Sequence, residues 1–214
     1  MTEITSAAPT RPRSHSIGLA ALVVGAGLAT GVVTQLAQSV LPTGWSQAAN
    51  AISPWLLVAF LVGSAMPGWR TAALAGAATL VLALLGYYAM TTLRFGIGGS
   101  TASLVFWGLA AVVGGPVFGG AGWCWRRGSH RARASALGLL TAAFIAEAGF
   151  HAIVLADALV ASGFVIAGVV VPLILGRSRD DRLRAYVAAV PATLLGALGF
   201  AGAIWLYDVI ASVA

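Results

Sequence analysis

The stretch ASALGLLTAAFIAEAGFHAIVLADALVASGFVIAGVVVPLIL, residues 134–175, decides the fold. Its only ionisable side chains are Glu147, His151 and Asp157. A helix rises 1.5 Å per residue and needs about 20 apolar residues to cross the hydrocarbon of a bilayer. The stretch is therefore too long for one crossing and long enough for two. Polarity rises at Ala156-Asp157, which is where the turn is placed, with Ser162-Gly163 as the alternative.

The same length criterion gives five further spans outside this stretch, so the set reads 17–41, 51–66, 71–93, 101–123, 134–156, 158–175 and 183–210. Pro54 falls near the start of the second span, where proline is tolerated because its missing N–H would have no partner in any case. The run 17–41 exceeds the core of a signal peptide and is read as a retained span, although Ala37-Gln38-Ser39 loosely resembles a cleavage site.

Arginine placement tests the count without using hydropathy. With seven spans and a cytoplasmic N-terminus, one side carries Arg11, Arg13, Arg70, the cluster Arg126, Arg127, Arg131 and Arg133, and the cluster Arg177, Arg179, Arg182 and Arg184. Arg94 is alone on the other side. Short cytoplasmic loops carry such an excess. Merging the fifth and sixth spans would place the last cluster outside, so seven spans are expected. Two belts of aromatic rings agree: Trp45, Trp55, Trp205 and Tyr207 near the outer interface, and Trp69, Trp123, Trp125 and Tyr186 near the inner one.

Composition excludes the alternatives. Of 214 residues, 59% are hydrophobic and 8% charged, too few charges to coat a soluble domain of this size. Unbroken apolar runs are not the alternating pattern of barrel strands. The fold class is thus an all-α polytopic transmembrane bundle with its C-terminus outside. The net charge of +6 comes from short arginine clusters between apolar runs, so no nucleic-acid partner is expected. Cys124, the single cysteine, cannot form an intrachain disulfide and reads as a small packing residue. Residues 1–16 read as a disordered tail and 17–214 as one transmembrane domain without a large loop. No inverted repeat is visible.

Function is sought among polar groups in the apolar spans. Glu147 lies past the midplane of the fifth span, where a carboxylate is costly unless it faces the interior, is paired or is protonated. His151 follows on the same helix face at i+4. Asp157 sits at the turn. Gln35, Gln38, Tyr87, Tyr88, Arg94 and Asp208 map to the same outer half. These residues outline an outward-facing polar site with Glu147 at its floor and Arg94 as counter-ion to Glu147 or Asp157. The bland reading is a satisfied network that fixes helix register. Alone, the tyrosines and glutamines would be read as helix-to-helix hydrogen bonding.

The fourth span contains GGPVFGGAG, residues 114–122. Pro116, beside Gly114 and Gly115, removes a helical hydrogen bond and is expected to kink the helix. The competing reading is close packing, because Gly115 and Gly119 make a small-x-x-x-small face, as do Gly27 and Gly31. Glu147, His151 and Asp157 are of metal-ligand type, and catalytic zinc wants three protein ligands. An intramembrane metal hydrolase of ceramidase-like kind would bring several histidines together. Here only His151 is within the membrane, since His15 is in the tail and His130 in an inner loop. No enzyme activity, metal or cofactor is expected.

The segment SPWLLVAFLVG (53–63), the triplet Gly86-Tyr87-Tyr88 and the step Ala146-Glu147-Ala148 resemble those of a group of small, functionally uncharacterised multipass membrane proteins of high-GC, actinobacterial-type bacteria. The resemblance runs from about Ile17 onward and implies the membrane class and an interest in Glu147, Tyr87 and Tyr88. The function expected is a small-molecule or ion transporter of the plasma membrane, or the membrane substrate-binding subunit of one. The alternative is a structural or accessory protein whose glycine faces contact a protein partner or a second copy. The bilayer is a partner in either case.

Overall fold

The computed structural model describes residues 13–42, 44–96, 98 and 100–213, with the side chains of 13–15, 203, 211 and 213 left aside. Among the described residues there are helices and no strand. In chain order they are α1 (Arg13–Val40), α2 (Trp45–Ala49), α3 (Ile52–Ala65), α4 (Trp69–Phe95), α5 (Thr101–Arg127), α6 (His130–Ile153), α7 (Ala158–Leu175) and α8 (Arg179–Val213). Seven segments are long and apolar enough to cross a membrane, with α2 and α3 together forming the second. The expected disordered tail falls largely outside the described residues, and 13–16 already belong to α1.

The decisive stretch folds as two helices, and the turn is where polarity rises. Ala156 adopts a left-handed φ of 52° and Asp157 caps α7, its Oδ1 accepting the Val160 N–H at 3.0 Å. Ser100 and Ser129 cap α5 and α6 in the same way, through the N–H groups of Ser103 and Ala132.

One expectation is corrected. The second span begins earlier than residue 51: residues 45–49 are already helical, and α2 and α3 are separate helices divided at Asn50-Ala51. The fourth span is a single helical element with Pro116 inside it.

The packing reading of the glycines holds. A methyl group on Gly119 would overlap the Ala72 carbonyl oxygen of α4, and one on Gly122 the Phe60 carbonyl oxygen of α3. Gly31 similarly abuts the Ala83 carbonyl oxygen of α4, and Gly27 that of Thr79. These close approaches bind α1, α3, α4 and α5 into one group. A second group joins α6 to α7 and α8, and the two meet where α3 and α5 pack on α6. The core runs through Phe60, Leu137, Leu140, Phe144, Val160 and Phe164, with half-buried Cys124 packed against it.

The clustered arginines share one end of the bundle. There Asp181, buried, lies 3.1 Å from His130 Nδ1 and 3.4 Å from Arg133 Nη1. Arg127 donates to the Ser64 carbonyl oxygen at 2.8 Å. Arg94 is at the opposite end. Elsewhere α8 exposes Leu183, Val187, Val190, Leu194 and Leu198. Apolar surface on that scale requires a nonaqueous solvent, which the bilayer supplies. The protein is a multi-pass integral membrane protein.

Candidate functional site

The site grows from the gap between α2 and α3. Every helix start leaves its first backbone N–H groups without intrahelical partners, and a membrane offers no bulk water to satisfy them. Ala51 occupies the N-cap of α3 and has no side chain able to accept a hydrogen bond. Its own N–H is bonded to the Ala48 carbonyl oxygen at 3.1 Å. Pro54, in the third helical position, has no N–H at all. That leaves Ile52 and Ser53. Both donate to Glu147 of α6: Ile52 N–H to Oε1 at 2.8 Å and Ser53 N–H to Oε2 at 2.7 Å.

Glu147 therefore does from another helix what a capping side chain does locally. A helix N-terminus carries about half a positive charge, which an anionic carboxylate complements. The residue is only 3% exposed. The expected counter-ion is corrected here: Arg94 donates through Nη1 to Ser39 Oγ at 2.7 Å and lies over the Phe95 ring. Its place in the last turn of α4 explains this, because a cation there meets the negative end of its own helix.

His151, one turn beyond Glu147, is equally buried, at 3% exposure. Its ring stacks on Phe164 with centroids 5.0 Å apart, and its Nδ1 has no hydrogen-bond partner. Asp157 is employed as the α7 cap. Among the described residues no three His, Cys, Asp or Glu side chains come together as metal ligands would.

The remaining predicted residues form a second polar cluster beside the gap. Tyr87 donates its hydroxyl to Gln38 Oε1 at 2.8 Å and meets Tyr88 edge-on at 5.3 Å. Trp55, in the first turn of α3, donates its indole N–H to Thr34 Oγ1 at 3.0 Å and tilts against Tyr87. Gln35 is buried with its Oε1 unpartnered.

Two cavities flank the gap. The larger, about 490 Å³, has Glu147, His151 and Gln38 in its wall, together with Gln47 and Asn50. The smaller, about 320 Å³, includes Tyr87 and Tyr88. They share a wall of Asn50, Ala51, Ile52, Ser103, Trp107 and Ala110. Neither wall includes Arg94, Asp157 or Gln35. Sequence reasoning missed Asn50, Gln47, Ser103 and the ring of Trp107. The available signal was Pro54 at a helix start preceded by an N-cap alanine, which implies a cap supplied from elsewhere.

Residues 10–206 match a family model described as a family of unknown function, DUF6518. The chain belongs to that family. No curated protein and no solved structure matches it. In this DUF6518 protein the matched region spans the α2–α3 gap, Glu147, His151 and all of both cavity walls except Tyr207.

Proposed function

We propose that the paired cavities are the extracytoplasmic-facing binding site of a small-molecule transporter, or of the membrane substrate-binding subunit of one, in the plasma membrane. The observation that carries this reading is the larger cavity, walled by a buried carboxylate, a buried imidazole with an unpartnered nitrogen and the interrupted second span. A volume of about 490 Å³ lies within the range of small-molecule sites, roughly 300–1,000 Å³. Interrupted helices whose N-termini meet charged groups near the membrane midplane are a recurrent design for substrate sites. The arginine clusters at the other end of the bundle support an outward orientation of the cavities through the positive-inside rule.

The protein is read as a binder and not an enzyme. The accessory-protein reading drew on the Gly27/Gly31 and Gly115/Gly119 faces, and both are already used inside the bundle.

The test is ligand-induced stabilisation of the full chain in nanodiscs, screened across small molecules of varied charge. Ala110→Trp places a large ring in the wall common to both cavities. Compounds that stabilise the wild type are expected to lose their effect in this variant. If the screen stabilises both proteins equally or neither, the binding reading is wrong.

A further inference from the structure

Resting on the reading of the larger cavity as a binding site, we infer that its ligand is an organic cation: an ammonium or comparable group carried on an apolar or aromatic body. The argument is one of charge and of surface. The cavity wall contains one carboxylate, that of Glu147, and no arginine or lysine. In its ionised form the carboxylate retains a negative remainder, because the N-terminus of α3 offsets only about half of an elementary charge. Each of its oxygens accepts one backbone N–H and has a second lone pair.

The rest of the wall suits the body of such a ligand. Five aromatic rings contribute, in two connected sets. Trp107, Phe106 and Tyr207 meet edge to face, at 5.0 and 5.6 Å between centroids. Phe150 and Phe200 stack at 5.3 Å, and Phe150 also meets His151. Ring faces attract a desolvated cation through their quadrupole, and Trp does so best. The amides of Gln38, Gln47 and Asn50 offer neutral dipoles that can turn a carbonyl oxygen toward the same charge. An anionic ligand would find one carboxylate and no basic side chain. At this end of the bundle three acidic side chains, Glu147, Asp157 and Asp208, stand against the single guanidinium of Arg94, so the approach favours cations too.

The experiment uses full-length protein in phosphatidylcholine nanodiscs and three probes of matched shape. These are (4-phenylbutyl)trimethylammonium, its uncharged isostere with carbon in place of nitrogen, and 4-phenylbutyrate. Binding is measured by equilibrium dialysis, with partition into empty nanodiscs subtracted. The ammonium is expected to bind at least about tenfold more tightly than the isostere, and the carboxylate least. Trp107→Leu keeps an apolar side chain but removes a ring face, and should weaken the ammonium by about 3- to 30-fold, well beyond its effect on the isostere, which reports the loss of bulk alone. Glu147→Gln should remove the preference for the cation. Because that residue also caps α3, Trp107→Leu decides the matter if Glu147→Gln does not fold. If the isostere or the butyrate binds as tightly as the ammonium, and Ala110→Trp abolishes that binding, the cation assignment is overturned and the site stands. If no probe binds beyond empty nanodiscs, or Ala110→Trp changes nothing, the site reading fails and the cation assignment falls with it.

Discussion

Glu147 Oε2 receives the backbone N–H of Ser53 at 2.7 Å, joining two helices through residues 94 positions apart in the chain. Its partner oxygen does the same for Ile52. The pair replaces the local side-chain cap that Ala51 cannot provide. Its loss would leave two donors without acceptors, that of Ser53 buried and that of Ile52 half-buried.

Glu147→Ala is accordingly expected to destabilise the bundle by about 2–6 kcal/mol, at roughly 1–3 kcal/mol for each orphaned donor. A local cap should restore part of the loss. Adding Ala51→Ser to Glu147→Ala is expected to recover about 0.5–2 kcal/mol, whereas Ala51→Ser in the wild type should gain much less. Reversible unfolding in detergent, measured for all four proteins, checks this. Equal effects of the serine in both backgrounds would mean that Glu147 does not act as the cap.

The glycines of α5 should differ sharply from one another. Gly122→Ala and Gly119→Ala put a methyl group onto a neighbouring backbone and are expected to cost about 1–3 kcal/mol or more, as overpacking does. Gly120 has no atom within 4 Å of where a Cβ would sit. Gly120→Ala should therefore be neutral or stabilising by up to about 1 kcal/mol, the difference in helix propensity. Thermal unfolding of the three variants decides it; a destabilised Gly120→Ala would contradict the packing described.

Ala156 has a φ of 52° in the turn between α6 and α7. Left-handed backbone costs a residue with a Cβ about 1–2 kcal/mol, and glycine escapes that cost. Ala156→Gly is expected to stabilise by about 0.5–1 kcal/mol after its larger unfolded-state entropy is set against the gain. Ala156→Val should destabilise. The order of unfolding temperatures, Gly above Ala above Val, is the observable.

Sidedness can be read with thiol labelling, because Cys124 is the single cysteine. In a Cys124→Ala background, Thr101→Cys at the start of α5 should react with a membrane-impermeant maleimide added to intact cells. Arg131→Cys at the start of α6 should react only after permeabilisation. The reverse pattern would invert the bundle and turn both cavities toward the cytoplasm.

Much of the fold was legible because hydrocarbon thickness and arginine retention are strong, simple constraints. The 134–175 stretch shows this: length required two crossings, and Arg177 to Arg184 required the turn between them. The gap at Asn50-Ala51 was legible only on one side: the start at 51 with Pro54 just inside it was expected, whereas the short helix α2 before it and a cap supplied from far along the chain leave no local signal. Pro116 is a strong local breaker, yet α5 runs on through it, held between α3 and α4 by glycine contacts on either side, and membrane helices accommodate proline where neighbours compensate. Within the candidate site, Glu147 and His151 were found because ionisable groups in apolar spans are conspicuous. The aromatic wall was hidden, since a ring lining a cavity and a ring facing lipid look alike in a sequence.

Asn50-Ala51 has one further consequence. The carboxylate that seals the α3 end also borders the larger cavity, and it is carried by the helix group opposite the one it seals. Anything that draws on its remaining lone pairs pulls on a fastening between the two halves of the molecule. On the proposed reading, occupancy of the chamber would change how firmly those halves are held together.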